Sequence, residues 1–159
     1  MNQETDKQSR VLIVDDEPVN IRILSNILAG EYQLSAATTG EKALELAISK
    51  LPELILLDMV MPEMDGLEVC RTLKANPATR DIPVIFVTGM SDPENEERGL
   101  DAGAVDYISK PVSPPIVRAR VKIHIQNLLS VRFLENLVSS QTENIDEVRT
   151  KAKSLLVFG

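Results

Sequence analysis

Five short hydrophobic runs, separated by segments with helical spacing, constrain the fold of this chain more than any other feature. The clearest are Val11–Val14, Leu54–Leu57 and Pro83–Val87, which are apolar without alternation and are bounded by turn-forming residues. Such runs are typical of strands that are buried on both faces of a parallel sheet. Weaker runs at Tyr32–Ala37 and Val105–Ile108 complete the set of five predicted strands.

The segments between these runs have the spacing of amphipathic helices. Thr39 can cap the second helix and Asp65 the third. The second helix is expected to bury a face formed by Ala43, Leu44, Ala47 and Ile48. Because strands that alternate with helices imply a parallel sheet covered on both faces, we predict an α/β fold. It is a doubly wound five-stranded parallel sheet in the order 2-1-3-4-5, with flanking helices and an extended C-terminal helix.

Composition excludes several classes of protein. With 24 acidic against 17 basic residues, the net charge of −7 argues against a general nucleic-acid or membrane-surface binder. The single cysteine, Cys70, cannot form an intramolecular disulfide and is typical of a reducing compartment. No apolar stretch approaches about 20 residues, and the first ten residues are polar. We therefore expect a cytoplasmic protein with no membrane partner and no direct nucleic-acid partner.

Acidic residues follow two of the buried runs. Asp15 and Asp16 come directly after the first, and Asp58 follows Leu54–Leu57. In a sheet of the predicted order, strands 1 and 3 are neighbours at the switch point, where ligands bind beyond the carboxyl ends of strands. Two carboxylates about 4 Å apart repel by about 4 kcal/mol at an effective dielectric of about 20. The cluster therefore needs a divalent cation, a shared proton or a nearby amine, and oxygen ligands favour Mg²⁺.

Two more polar side chains are expected at the same edge of the sheet. Thr88 stands at the end of the fourth strand, and Lys110 lies just beyond the fifth. Each signal alone has a simpler explanation, since an aspartate after a strand is often a helix cap and Lys-Pro is mostly turn chemistry. Their coincidence at consecutive strand ends instead favours a site for a phosphoryl group on an aspartate.

Four stretches carry a family resemblance: VLIVDDE at 11–17, LDMVMPEMDG at 57–66, VIFVTG at 84–89 and GAVDYISKP at 103–111. With them, residues 10–125 closely resemble the receiver (CheY-like) domain of two-component response regulators. The resemblance implies that Asp58 is the phosphoacceptor, which attacks a phosphohistidine on a sensor histidine kinase or a phosphotransfer protein. It also implies a Mg²⁺ site made of Asp15, Asp16, Asp58 and the backbone carbonyl of Val60.

The resemblance assigns roles to three further residues. Thr88 would bond to a phosphoryl oxygen and move inward when the phosphoryl group is present, and Tyr107 would be the aromatic side chain that rotates inward with it. Lys110 would pair with Asp58 or its phosphate, and the Lys110–Pro111 bond resembles the family's cis peptide. The chain would then be a phosphorylation-controlled switch and not an enzyme that turns over a free substrate.

Alternative functions agree less well with the residues. A phosphohydrolase of the haloacid dehalogenase type requires a second aspartate two residues after the nucleophile, and this chain has Val60 at that position. A flavin carrier of the same topology would meet repulsion between its phosphate and the acid cluster. A receiver used only as a scaffold would have no need of intact acids.

Other chemically notable residues are expected to be structural. Cys70 lies inside a predicted helix, where a small core residue is the simplest interpretation. His124, the only histidine, lies on the last helix and is expected to be structural or interfacial. Met59, Met61 and Met64 are expected to pack the loop beside the site.

The last helix is longer than a single sheet can cover, since Ser113 to Val138 spans about 39 Å at 1.5 Å per residue. Every third or fourth residue forms a moderate apolar stripe with polar gaps: Val117, Val121, His124, Leu128, Val131, Glu135, Val138, Thr142, Ile145, Arg149, Ala152 and Leu156. We expect a disordered N-terminus at 1–9, a receiver domain at 10–125 and an extended helix, linker or coiled coil at 126–159. This last segment would form a homodimer or lead to an output domain, for which residues 92–130 look like receivers that precede cyclic-dinucleotide enzymes.

Overall fold

The structure is a computed structural model that describes residues 7–90 and 92–140. Its strands are β1 (Arg10–Val14), β2 (Gln33–Ala37), β3 (Leu54–Leu57), β4 (Val84–Thr88) and β5 (Asp106–Ser109). Its helices are α1 (Pro18–Leu28), α2 (Gly40–Lys50), α3 (Gly66–Ala75), α4 (Pro93–Asp101) and α5 (Pro114–Ser140). Residues 1–6 of the expected disordered N-terminus and residues 141–159 of the expected tail lie outside the described residues.

The five strands form one sheet in the order β2-β1-β3-β4-β5, and every neighbouring pair is parallel. This arrangement confirms the predicted fold. β1 and β3 are side by side, with Val14 opposite Leu57 at their carboxyl ends. The loops that follow these two strands therefore start at the same level of the sheet edge.

Helices cover both faces of the sheet, and the core has a cluster on each face. On one face, α1 contributes Leu24 and Leu28, and α5 contributes Val117, Val121 and Ile125. On the other face, α2 contributes Ala43 and Ala47, and the largest share comes from α3, with Leu67, Val69, Cys70 and Leu73. The central strands are buried on both sides, which is why their sequences are apolar without alternation.

The structure differs from the expected α2 face at one position. Ala43 and Ala47 are buried as predicted, but the side chain of Ile48 is 53% exposed. The helix contacts the core through its two alanines, with Leu44 and Leu46 at the edges of the contact. The buried face of α2 is therefore narrower than the four residues that were predicted to form it, and the prediction that Ile48 is buried was wrong.

Aspartate and threonine caps fix the helix starts beside the predicted site. Thr39 accepts a hydrogen bond from the Lys42 N–H at 3.1 Å, and Asp65 accepts one from the Glu68 N–H at 2.9 Å. Asp92 caps α4 in the same way through the Asn95 N–H at 2.9 Å. Each cap satisfies an amide that the first helical turn leaves without a partner.

The chain divides into two compact units between Ile125 and Gln126. Val117 and Val121, the first two members of the predicted apolar stripe, belong to the core of the first unit and are fully buried. Among residues 7–90 and 92–140, no helix combines the length and hydrophobicity that a membrane crossing requires.

Candidate functional site

The carboxyl ends of four adjacent strands bring the predicted site residues together. Asp15 and Asp16 follow β1, Asp58 follows β3, Thr88 is the last residue of β4, and Lys110 follows β5. The backbone N–H of Asp58 donates to the Val14 carbonyl at 2.9 Å, and that of Lys110 donates to the Thr88 carbonyl at 3.0 Å. These two hydrogen bonds continue the strand pairing of the sheet to Asp58 and Lys110. They therefore fix the backbone positions from which the two side chains extend.

Three carboxylates form the centre of the site. Asp15, Asp16 and Asp58 each present an oxygen within 4.8 Å of the others. Asp15 is 1% exposed and Asp58 is 7% exposed, whereas Asp16 is half-buried. Burial of negative charges at this spacing is unfavourable unless positive charge or hydrogen-bond donors compensate it.

Lys110 supplies the compensating positive charge. Its ammonium lies 2.7 Å from Asp15 Oδ2 and 3.3 Å from Asp58 Oδ2. Burial disfavours the charged form of Lys110, but the hydrogen bond to Asp15 and the charge of Asp58 outweigh it and raise the pKa of the ammonium above its ordinary value. Lys110 therefore stays protonated between the two carboxylates. The peptide bond that follows it, Lys110–Pro111, is cis.

Backbone amides and one amide side chain hold the other carboxylate oxygens. Asp15 Oδ1 accepts from the Glu17 N–H at 2.9 Å and from Asn20 Nδ2 at 3.4 Å. Asp58 Oδ1 accepts from the Val60 N–H at 3.3 Å. Sequence reasoning missed Asn20, and only its position one helical turn after Asp16 could have pointed to it.

Thr88 and Tyr107, the two residues predicted to act as a switch, are both buried. Thr88 is 1% exposed, and its hydroxyl accepts from the Met90 N–H at 3.3 Å, which leaves the hydroxyl proton able to donate. Tyr107 is 9% exposed, and its buried hydroxyl meets no hydrogen-bond partner among the described residues. Burial, followed by the charges of Asp92, Glu96 and Asp58, raises the pKa of this phenol.

A glycine fixes the loop that carries Asp58. A Cβ at Gly66 would lie 2.1 Å from the Asp58 carbonyl oxygen and 2.8 Å from Met59 Cα, both of them backbone atoms. The start of α3 thus packs directly on the backbone of the central aspartate. The sequence motif contained Gly66, but no local pattern signalled this close approach. As expected, Met59 and Met61 are buried in this loop, with Met64 packed against the core.

Cys70 and His124 take part in contacts outside the carboxylate cluster, as the sequence predicted. Cys70 is fully buried, its Sγ bonds to the Ala102 carbonyl, and burial raises the pKa of its thiol. His124 Nε2 lies 2.9 Å from Asp106 Oδ2, and Arg120 donates to the other oxygen, Oδ1, of the same carboxylate. Both belong to structural contacts of the domain.

The donor set is suited to a hard divalent cation. Three carboxylates offer oxygens within 4.8 Å of one another, and Asp16 is not bonded by the ammonium that engages Asp15 and Asp58. Val60, whose carbonyl the sequence analysis added to this set, is 53% exposed. Carboxylate and carbonyl oxygens are the ligands that Mg²⁺ prefers in proteins.

Comparisons with known proteins identify the family of the domain. The family model for the response regulator receiver domain matches residues 11–122. A Vibrio cholerae protein named probable cyclic di-GMP phosphodiesterase is 49% identical over 136 residues, which cover 86% of this chain and 31% of that protein. The response regulator PleD of Caulobacter vibrioides is 44% identical over 115 residues, covering 72% of this chain and 25% of PleD. This chain thus spans less than a third of either relative.

A solved structure shows the same architecture. The CheY-like response regulator receiver domain protein of Methanospirillum hungatei superposes with a TM-score of 0.73 at 30% sequence identity. The match covers 78% of this chain and 98% of that structure.

Proposed function

We propose, from the premise that this chain belongs to the family of response regulator receiver domains, that Asp58 accepts the phosphoryl group that controls it. Receiver domains act as phosphoacceptors in two-component signalling, and the relatives of this chain include the response regulator PleD. One observation carries the assignment to Asp58. The Lys110 ammonium bridges Asp15 and Asp58 at 2.7 and 3.3 Å, so positive charge already stands where a phosphoryl group on Asp58 would need it.

The proposed step is a transfer between two nucleophiles. A carboxylate oxygen of Asp58 attacks the phosphorus of a phosphohistidine on the donor protein. As the O–P bond forms, the P–N bond breaks and its electron pair returns to the donor imidazole, which leaves an aspartyl phosphate. Little covalent chemistry is required of the protein, so positioning and charge stabilisation account for the catalysis.

Residues around Asp58 divide these tasks. Lys110 stabilises charge on the transferring oxygens, while the Val60 N–H orients the Asp58 carboxylate by its 3.3 Å hydrogen bond. Thr88 can donate its hydroxyl proton to a phosphoryl oxygen without losing the bond that it accepts from the Met90 N–H. Tyr107, whose hydroxyl lacks a partner among the described residues, is the proposed companion of Thr88 in the switch.

We propose Mg²⁺ as the cofactor, held by Asp15, Asp16, Asp58 and the Val60 carbonyl. When bound, the ion would neutralise charge on the carboxylates and on the phosphoryl oxygens. Its binding should stabilise the unphosphorylated protein by about 2.7 kcal/mol at about 100-fold excess over Kd. Thermal melts with and without Mg²⁺ check this, and Asp16→Asn should shrink the shift. Coincident wild-type curves would exclude a metal site.

The proposed partners follow from the phosphoacceptor role. A sensor histidine kinase or a phosphotransfer protein would supply the phosphoryl group, and the chain would act as a cytoplasmic switch without turnover of a free substrate. The Vibrio cholerae relative named probable cyclic di-GMP phosphodiesterase supports a cyclic-dinucleotide enzyme as the output domain. A second copy of this chain is a further proposed partner, through the helix beyond Gln126.

Acetyl phosphate with Mg²⁺ tests the assignment of the phosphoacceptor. The wild type should gain one hydroxylamine-sensitive phosphoryl group, measured by intact mass. Asp58→Asn should abolish it, whereas Asp65→Asn, which changes an exposed aspartate of the same loop and keeps a capping side chain, should not. Full phosphorylation of Asp58→Asn would exclude Asp58 as the acceptor.

A further inference from the structure

Asn20, in the first turn of α1, contacts the carboxylate cluster although no role in the site was predicted for it. Its side-chain Nδ2 lies 3.4 Å from Asp15 Oδ1 and 3.4 Å from Glu17 Oε2, so one amide group donates to two acidic side chains. Asp15 is 1% exposed, whereas Glu17 is exposed. The buried carboxylate of Asp15 therefore depends on donors from the protein in place of water.

The two carboxylate oxygens of Asp15 have different partners. Oδ2 accepts from the Lys110 ammonium at 2.7 Å, and the same ammonium reaches Asp58 Oδ2, so this side of Asp15 faces the cluster. Oδ1 faces the start of α1, where it accepts from the Glu17 N–H at 2.9 Å and from Asn20. Lys110 is the proposed partner of the phosphoryl oxygens during transfer. The donors on Oδ1 are then the ones that keep the Asp15 carboxylate oriented.

A carboxamide is suited to this position because it donates without carrying a charge. A second ammonium beside Asp15 would repel a divalent cation held by the cluster, and a carboxylate would repel Asp15 itself. The amide of Asn20 compensates the buried oxygen and does neither.

A cleft beside the site adds to the strength of this contact. Asn20 and Lys110 are the polar members of a cleft of about 450 Å³, and its other lining residues are apolar: Ile23, Leu24, Val87, Pro111 and Val112. Hydrogen bonds are stronger electrostatically in apolar surroundings than in water. Both side-chain donors to Asp15 therefore lie where a hydrogen bond is most effective.

We propose that Asn20 is a positioning residue for the divalent cation, and that its amide keeps Oδ2 of Asp15 directed at the cluster. This role rests on the proposed phosphoacceptor function, with Mg²⁺ as its cofactor. Removal of a group that orients a metal ligand typically lowers metal affinity by roughly 10–100-fold. Asn20 does not contact Asp58, so its loss should weaken cation binding and leave the transfer step itself nearly unchanged.

Calorimetric titration of the unphosphorylated full chain with Mg²⁺ tests this role without a phosphodonor. Asn20→Leu keeps the branched shape of the side chain but cannot donate, and it should raise the Kd for Mg²⁺ about tenfold. Asn20→Ala, which removes the donor without adding apolar surface, should show the same rise. Asn26→Leu makes the same change as Asn20→Leu at an exposed position of α1 and should bind Mg²⁺ as the wild type does.

Two calorimetric results would overturn the role of Asn20. One is a wild type that binds no Mg²⁺. The other is a Kd that stays at the wild-type value in both Asn20 variants, or that rises equally in Asn26→Leu. Failure of the phosphoacceptor assignment is distinguishable, because it shows as phosphorylation that survives Asp58→Asn and does not alter the calorimetric comparison.

The Mg²⁺ dependence of phosphorylation separates positioning from a merely structural role. With acetyl phosphate, Asn20→Leu should need about tenfold more Mg²⁺ to reach its half-maximal rate, and its rate at saturating Mg²⁺ should be close to that of the wild type. A lower saturating rate with an unchanged Mg²⁺ requirement would show a structural role and overturn the assignment of Asn20.

Discussion

Helices α3 and α4 both begin at loops beside Asp58, and both start with an aspartate cap, yet they are anchored differently. α3 buries five of its residues: Gly66, Leu67, Val69, Cys70 and Leu73. α4 buries only Asn95 and Gly99. One helix is thus held by aliphatic burial, and the other by an amide and a close glycine contact.

This difference in anchoring indicates which of the two helices beside the site separates more easily from the domain. The Asn95 amide donates to Oδ2 of the cap residue Asp92 at 2.8 Å, and Gly99 lets α4 approach the ring of Phe86. Such contacts cost less to separate than a packed apolar face, because little hydrophobic surface returns to water. We therefore expect α3 to support Asp58 rigidly and α4 to have the lower stability of the two.

The largest expected contrast is in leucine truncations. Leu73 of α3 is 2% exposed, so Leu73→Ala should lower the free energy of unfolding by about 2–5 kcal/mol. Leu100 of α4 is 46% exposed, and Leu100→Ala should stay within about 0.5 kcal/mol of wild type. Urea unfolding of the two variants measures this contrast. Equal losses would show that α4 is anchored as firmly as α3.

A smaller contrast is expected between two glycines. Gly66→Ala would place a Cβ 2.1 Å from the Asp58 carbonyl, a backbone atom, and should cost about 1–3 kcal/mol and slow phosphorylation from acetyl phosphate. Gly99→Ala would meet Phe86 Cδ2 at 2.9 Å, a side-chain atom, and gains about 0.5–1 kcal/mol from the loss of a mid-helix glycine. Its net effect should therefore be smaller, with unchanged phosphorylation. The reverse order would contradict the assigned contacts.

The smallest expected effect is a pH dependence at the α4 cap. Hydrogen bonds from the Asn95 backbone and side chain lower the pKa of Asp92 below its ordinary value of 3.8. A lowered folded-state pKa means that the cap contributes stability above about pH 4, which is lost as the pH falls through the folded-state pKa. Asp92→Asn can cap without titrating. The urea midpoint of wild type should thus fall relative to this variant between about pH 6 and about pH 3, and a constant difference would exclude the effect.

The fold could be predicted because each strand coincides with an apolar run in the sequence. The residues at which the strands begin and end could not be predicted. β5 covers Asp106–Ser109, one residue later than the predicted run Val105–Ile108, and its last residue Ser109 pairs with Thr88 of β4. Backbone pairing between neighbouring strands sets that boundary, and composition does not report it. Ile48 shows the same limit on a helix, since its exposure depends on how α2 is seated on the sheet.

Much of the candidate site was predictable for a topological reason. In a parallel sheet, the residues that directly follow the strands all lie at the same edge, the carboxyl ends of the strands. Asp15, Asp58 and Lys110 could therefore be placed together from strand order alone. The hydrogen bond from Asn20 to Asp15 and the contact of Gly66 with the Asp58 backbone could not be predicted. They arise from the paths of loops and helices in three dimensions.

Borohydride trapping of the phosphorylated protein tests the central claim most directly. Reduction of an aspartyl phosphate converts that aspartate to homoserine, which mass spectrometry of peptides locates in the sequence. The assignment of Lys110 and the three carboxylates predicts homoserine at position 58, with Asp15 and Asp16 unchanged. Homoserine at position 15 or 16, or none at position 58 in a protein that carries the phosphoryl group, would contradict the account.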